Sequence, residues 1–516
     1  MPRQPAQDKK SKSSRRQLRV FLCTNFVYIW LVFGWSLTLY PLGIDFIYLA
    51  DPGQMQSAAQ RVWEMELRLF GDSIALYRVF NILLLYCCMV CILFLTRFVL
   101  GGAWWLGSLA AVLTMANPAK SEGILHLSAV ADLLPAFAAL AALAAWAGWH
   151  RHGGGAAYVL ALVLGAFASL NFAENAMLPW VMLALYILIP SEHAARALHL
   201  IPVSLLGVAA LFRHGWMFSH HGFNPVDAIA PLYLAFYPLG LWPSTAALYW
   251  QYPALWLVVA LVFLALVALL WRKLRDNALI FALLGALLLR AMPLGEFDIV
   301  HCRGGGALIV PFALLYIGLA AVWMHIQQHP RWRRQAVVLT TLLCLLFFGL
   351  QWQALWHWRQ AGAVVKAFQA RAAMAVEESN GEPVALLPDF RYHHTAPVAL
   401  YASVLYDTAF SRELPVTTAM ATHYFLPPKG DVTITKWDRI GAEVEVRGVT
   451  LAEMLGPDAA AMQPGDDVAY ELYQLQLVTR EPGGLRFRVY PLGDLLPEKV
   501  IPLRNRGEGL ALAHSI

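Results

Sequence analysis

The sequence predicts a mainly α-helical bundle that crosses a membrane about eleven times and ends in a small extramembrane domain, β-rich or α/β. Three observations predict this: the composition, the recurrence of apolar runs of span length, and the placement of the basic connections between them. The chain is 59% hydrophobic and 14% charged over 516 residues. Soluble domains carry about a quarter charged residues, and single soluble cores stop growing near about 250–300 residues. A chain this long and this apolar needs lipid as part of its solvent.

The first element is a basic tail, residues 1–19, with Arg3, Lys9, Lys10, Lys12, Arg15, Arg16 and Arg19 against Asp8 alone. This tail alone accounts for the chain's positive excess, a net charge of +5. Such a tail holds an N-terminus in the cytoplasm or meets anionic headgroups, and it does not call for a nucleic-acid partner. The apolar run that follows is longer than the core of a secretory signal and has no small-x-small cleavage site after it, so it reads as an uncleaved first helix.

The membrane domain covers residues 20–358. Apolar segments of span length, some needing their flanks, fall near 20–43, 73–99, 103–117, 128–148, 156–172, 175–190, 197–212, 253–271, 278–293, 306–325 and 336–353. Starting inside, the cytoplasmic connections hold Arg97, His150-Arg151-His152, residues 191–196, Arg272–Arg275 and Arg331–Arg334. Residues 213–252 are rich in Trp, Tyr and Pro and read as an outer-face or re-entrant element at headgroup level. Cys87, Cys88 and Cys91 mimic a metal motif but sit in a span without a charged partner, where cysteines serve as small hydrophobes.

Residues 359–374 read as a short amphipathic connector helix, continuing to about 378, and residues 375–516 as a domain on the outer face. Gly430–Lys436 and Ala442–Val446 alternate with period two. Val468–Arg480 and Leu485–Val489 flank Glu481-Pro-Gly-Gly484, a hairpin signal. Asp389, His393 and His394 are the best polar cluster of this tail and read as surface residues.

The alternation puts many polar residues on one side: Asp45 and Asp51 after the first span, then Glu64, Glu66 and Asp72. Lys120, Glu122 and Asp132 follow around the fourth span, Glu174 between the fifth and sixth, and Glu296, Asp298, His301 and Arg303 before the tenth. Charges at membrane depth usually face a cavity, so the expectation is one polar basin roofing the bundle. Glu64, Glu66 and Asp72 also read as a solvated helix face. Asp132 also reads as a helix cap, and His214, His220 and His221 as interfacial histidines.

Arg78-Val-Phe-Asn81, Asn117-Pro-Ala-Lys-Ser-Glu122, Ala131-Asp132-Leu-Leu-Pro135 and Asn171-Phe-Ala-Glu174 through Pro179 occur in that order. This series resembles the transmembrane O-mannosyltransferase-like proteins that carry tetratricopeptide repeats, and their bacterial relatives in the GT-C class of multi-spanning glycosyltransferases, over about residues 20–325. The repeats themselves are absent here. The resemblance implies transfer of a sugar from a polyprenyl-phosphate donor to a lipid, glycan or protein acceptor at the outer face of a bacterial inner membrane. It implies Asp45 as general base, with Asp51 as the fallback, and a substrate site built from Arg303, Glu122, Glu174, Asp132 and Arg78. Arg303 would meet the lipid phosphate. The cofactor stays open, a divalent metal being compatible with the acids. The competing readings are a transporter or flippase and a non-catalytic scaffold of the cell envelope.

Overall fold

The computed structural model describes residues 5–188 apart from 51, 56, 102 and 103, then 197–221, 277–290, and 305–378 apart from 328 and 329. From residue 385 it describes mainly the strands, with residues 450–451 and 461–466. The described chain is mostly helical, and it divides into two compact units, Met1–Thr38 with Met55–Leu355, and Leu39–Gln54 with Trp356–Ile516.

The helices of the first unit follow the apolar runs. They are α1 (Pro5–Phe33), α3 (Ser57–Phe70), α4 (Ile74–Leu100), α5 (Trp104–Ala116), α6 (Glu122–Leu125), α7 (Val130–His152), α8 (Gly155–Asn171), α9 (Leu178–Leu188), α10 (Leu200–His221), α11 (Asn277–Arg290), α12 (Ile309–Gln327) and the start of α13 (Pro330–Glu378). α2 (Ile44–Ala50) belongs to the second unit. Among the described residues five helical stretches are long and apolar enough to cross a membrane: Arg16–Thr38, Ile74–Leu100, Val130–His152, Gly306–Met324 and Arg331–Ala363. Shorter apolar helices occupy the intervening runs. The expected segment 253–271, the basic loop Arg272–Arg275 and most of the aromatic stretch 213–252 lie outside the described residues.

α4 and α7 form the centre, with α5 and α8 on their flanks and α12 against α5. Their facing sides are dry: Leu85, Cys88, Met89, Ile92, Leu133, Leu140, Leu143 and Trp146 are buried. Each buried aliphatic side chain of this kind contributes about 1.5–3 kcal/mol. α4 stops at Gly101, whose φ of 63° is left-handed and whose N–H donates to the Arg97 carbonyl. The ends of α4 and α7 that carry Arg97 and His150–His152 meet there, Arg151 donating to the Phe98 carbonyl at 2.7 Å. His199, just beyond residues 191–196, packs on Trp149 of the same end. Along the candidate span in α13 only 11% of the residues are buried, and Val337, Val338, Leu339, Leu342 and Leu345 stand exposed. A helix that apolar and that exposed suits lipid contact.

The connector expected at 359–374 is helical, and its helix ends at Glu378, but it continues the preceding span instead of standing as a separate short element. α13 runs unbroken through 49 residues, because Ala, Gln, Val and Arg carry the helix on and no proline interrupts it. The lone Gly362 packs against Tyr40, whose hydroxyl donates to Gln369 at 2.6 Å.

The C-terminal sheet is antiparallel over five strands, β4 (Asp431–Trp437), β5 (Ala442–Arg447), β6 (Asp467–Ala469), β7 (Tyr473–Glu481) and β8 (Gly484–Pro491), in the order β4-β5-β8-β7-β6. The hairpin read from Glu481-Pro-Gly-Gly484 is β7–β8, pairing Glu481 with Gly484. Val444, Val446, Leu475, Leu477, Leu485, Phe487 and Val489 fill one face, as period-two alternation requires. β1 (Ala385–Leu387), β9 (Val500–Arg506) and β10 (Gly509–Leu512) form a second sheet in which β1 runs parallel to β9. β2 (Tyr392–His393) pairs with β3 (Ala396–Pro397) and carries His393, while Asp389 and His394 lie outside the described residues.

Candidate functional site

The strongest constellation of polar groups in the first unit gathers where α6, α7, the turn Ala173–Asn175 and the turn Gly305–Leu308 pack together. α4 supplies the support. Arg78, buried, donates a short hydrogen bond to the Leu125 carbonyl, and Asn81 donates to Leu127 at 2.9 Å and His126 at 3.4 Å. These carbonyls end α6 and lead into α7, where regular helix bonding stops and outside donors are required. Arg78 and Asn81 therefore set the angle of the corner that carries the acids.

Glu122 opens α6, and His126 follows four residues on with Nε2 at 3.7 Å from the carboxylate. Asp132 sits in the first turn of α7. Pro135 lies one turn further on, and its carbonyl accepts from Asn175 Nδ2 at 3.0 Å. That bond fixes the turn Ala173–Asn175 and with it Glu174. Glu122, Glu174 and His126 are the charges that act on the Asp132 carboxyl. The fourth wall is backbone. Gly306 lies so close to Asp132 that a Cβ there would overlap the carboxyl group, and Gly123 is equally close to Gly306. Only glycine permits this approach.

Of the residues expected to form the site, Glu122, Asp132 and Glu174 thus come together, with Arg78 beneath them. Asp45 belongs to the other unit, in the first turn of α2. It is fully buried. Its carboxylate accepts from the Leu42 N–H at 3.0 Å while the Leu42 carbonyl accepts from the Asp45 N–H at 3.0 Å. This reciprocal pair closes the turn that follows the first span and fixes the carboxylate in one orientation. Asp51, Glu296, Asp298, His301 and Arg303 lie outside the described residues.

One expectation is corrected. Glu66 does not lie on a solvated face: it is fully buried on the side of α3 that carries Trp63 and Ala59. Neither of its oxygens has a hydrogen-bond partner among the described residues. Burial pushes its carboxyl from 4.5 up to about 8. The reason is the helical period, since Arg61, Met65, Arg68 and Leu69 take the exposed arc and leave Trp63 and Glu66 inward. Lys120 is also buried, donating to the Met115 carbonyl at 2.5 Å. Burial lowers its amine well below the usual lysine range.

His126 and the pair Gly123–Gly306 escaped sequence reasoning. The signals were present in Glu122-x-x-x-His126, a helical i,i+4 pair, and in the run Gly304-Gly305-Gly306. Among the described residues no group of three or more His, Cys, Asp or Glu side chains is arranged to hold a metal ion. Oxygen-rich, with one imidazole, the cluster can accept hydrogen bonds from several hydroxyls at once and take a proton from one of them. The chain matches no protein-family model, no curated protein and no solved structure.

Proposed function

We propose that this protein is a multi-spanning glycosyltransferase of the GT-C type, which moves a sugar from a polyprenyl-phosphate carrier to a lipid, glycan or protein acceptor. One observation carries the reading: Glu122 and Asp132 gather with Glu174, more distant in sequence, at one end of the helical unit. They belong to the same ordered motifs that resemble the family. A sugar presents many hydroxyls, and a group of carboxylates is the natural partner for them.

In this reading the chain crosses a bacterial inner membrane eleven times, with the N-terminus in the cytoplasm and the C-terminal domain in the periplasm. Asp45 is the general base on the acceptor hydroxyl, with Asp51 as the fallback. The Leu42 N–H holds its carboxylate in one orientation, and a positioned base removes the proton as the new bond forms. Arg303 stabilises the departing lipid phosphate through its fork of donors. Glu122, Asp132 and Glu174 orient the sugar, and Arg78 sets the corner that bears the first two.

The test is transfer from a panel of polyprenyl-phosphate sugars in purified membranes. Wild type transfers at least one sugar, and Asp45→Asn lowers the rate about 10²–10⁴-fold with expression unchanged. If Asp45→Asn keeps full rate while Asp51→Asn is inactive, the base is Asp51. A wild type inert toward every donor overturns the reading. Reporter fusions after residues 275, 334 and 516 test the orientation, and a cytoplasmic signal at residue 516 defeats it.

A further inference from the structure

At the opposite end of the first unit a groove of about 280 Å³ opens between α1 and the start of α5, lined by Arg16, Gln17, Val20, Phe21, Trp104 and Trp105. The groove is set among cations. Arg16 stands at its rim, exposed. Arg97 lays its guanidinium over the Trp104 ring at 5.2 Å and donates to the Gly101 carbonyl at 3.2 Å. Arg151 reaches the same corner, packs on Gly101 and lies close enough to Arg97 for the two charges to repel. No Asp or Glu lines the groove, α4, α5 and α8 carry none, and the one acid of α7, Asp132, lies in its first turn at the far end. An anion from outside relieves that excess positive charge.

The walls say what kind of anion. Two adjacent tryptophans suit the water–lipid boundary, with apolar bodies and one polar N–H each. Val20 at the groove is exposed, and Val27 and Leu31 continue an exposed apolar strip along the same helix at seven and eleven residues' spacing. The volume falls just short of the roughly 300–1,000 Å³ typical of whole small-molecule pockets, so it takes a headgroup and leaves the chains outside. We infer that this groove binds the headgroup of an anionic glycerophospholipid, with its phosphate at Arg16 and its acyl chains along Val20, Val27 and Leu31. A polyprenyl phosphate shares the phosphate chemistry. The bilayer presents glycerophospholipid in large excess, and the inference is independent of the transferase reading.

The experiment is native mass spectrometry of the full-length protein incubated with equimolar phosphatidylglycerol and phosphatidylcholine, and separately with undecaprenyl phosphate. Wild type is expected to retain phosphatidylglycerol over phosphatidylcholine. Arg16→Gln lowers that preference about fivefold, the usual effect of one cation near an anionic lipid. Val20→Trp fills the groove without touching a charge and lowers it as well. Arg19→Gln, an exposed cation that does not line the groove, leaves it unchanged. Because Arg16, Val20 and Arg19 are all exposed, the three variants fold as wild type does, checked by melting in phosphatidylcholine nanodiscs. Equal retention of the two phospholipids by wild type overturns the inference. So does an Arg19→Gln effect as large as that of Arg16→Gln, which would mean diffuse attraction by the tail, and so does stronger retention of undecaprenyl phosphate that Arg16→Gln abolishes.

Discussion

The two units treat their acids in opposite ways. In the C-terminal sheet, Glu443 and Glu445 alternate with buried Val444 and Val446 on β5. Each meets an arginine, Glu443 with Arg488 at 3.8 Å and Glu445 with Arg447 at 2.8 Å. That last bond, together with the nearby charge of Arg486, holds the Glu445 carboxyl below its usual range. In the helical unit, Glu122, Asp132 and Glu174 are brought toward one another, with one histidine beside them. Cross-strand and neighbouring pairs of opposite charge are an ordinary surface solution. Gathering like charges costs free energy, and here the arrangement needs a buried arginine, a buried asparagine and two glycines to hold it. The sheet's charges are each offset by an arginine, whereas the bundle's acids are collected at a cost.

The sharpest way to break that contrast is Asp132→Asn. If the cluster orients a sugar, transfer falls about 10²-fold or more while the protein still expresses and melts as wild type; an unchanged rate removes Asp132 from the site. Next in size is Gly306→Ala, whose methyl collides with the Asp132 carboxyl. It is expected to destabilise the protein by about 1–3 kcal/mol, the usual cost of overpacking, and to lower transfer with it. Thermal melting and the transfer assay read both effects, and an alanine variant equal to wild type would show that the turn at 305–308 sits further from α7.

Glu66 provides a third, pH-dependent comparison. Its carboxyl, pushed up from 4.5 to about 8, keeps its proton in the folded protein where the unfolded chain has lost it. The group's contribution to stability is complete below pH 4.5 and is lost as the pH rises through about 8. Glu66→Gln should therefore match wild type near pH 4 and exceed it at pH 9 by about 1–3 kcal/mol, the cost of an unsatisfied buried group. Identical melting profiles across that range would place Glu66 in water. The smallest effect belongs to the sheet. Glu445→Gln should leave both the melting temperature and the transfer rate indistinguishable from wild type, since exposed ion pairs add little.

Much of the fold was legible because helix period and span length are local properties. The segments read at 73–99, 103–117, 128–148 and 156–172 correspond to α4, α5, α7 and α8 within a few residues. Alternation and a Pro-Gly turn likewise placed β7 and β8. The connector was legible as a helix ending near 378, but not as the continuation of α13, because an amphipathic stretch after an apolar one looks like a new element. Asp132 and Glu174 were legible as acids at span ends because each adjoins an apolar run, but nothing local told Glu66 from Glu64.

By itself, then, the amino-acid sequence determined the membrane character, the order of helices and the β-rich tail, since each follows from periodicity and burial of apolar surface over a short window. Tertiary structure decided which acids meet. Glu122, Asp132 and Glu174 converge because Arg78 and Asn81 hold one corner, Asn175 ties a second turn to Pro135, and Gly306 lets a third segment close on Asp132. Each of those contacts joins residues some 40 to 174 positions apart, and such a distance is set by packing, which no local pattern encodes.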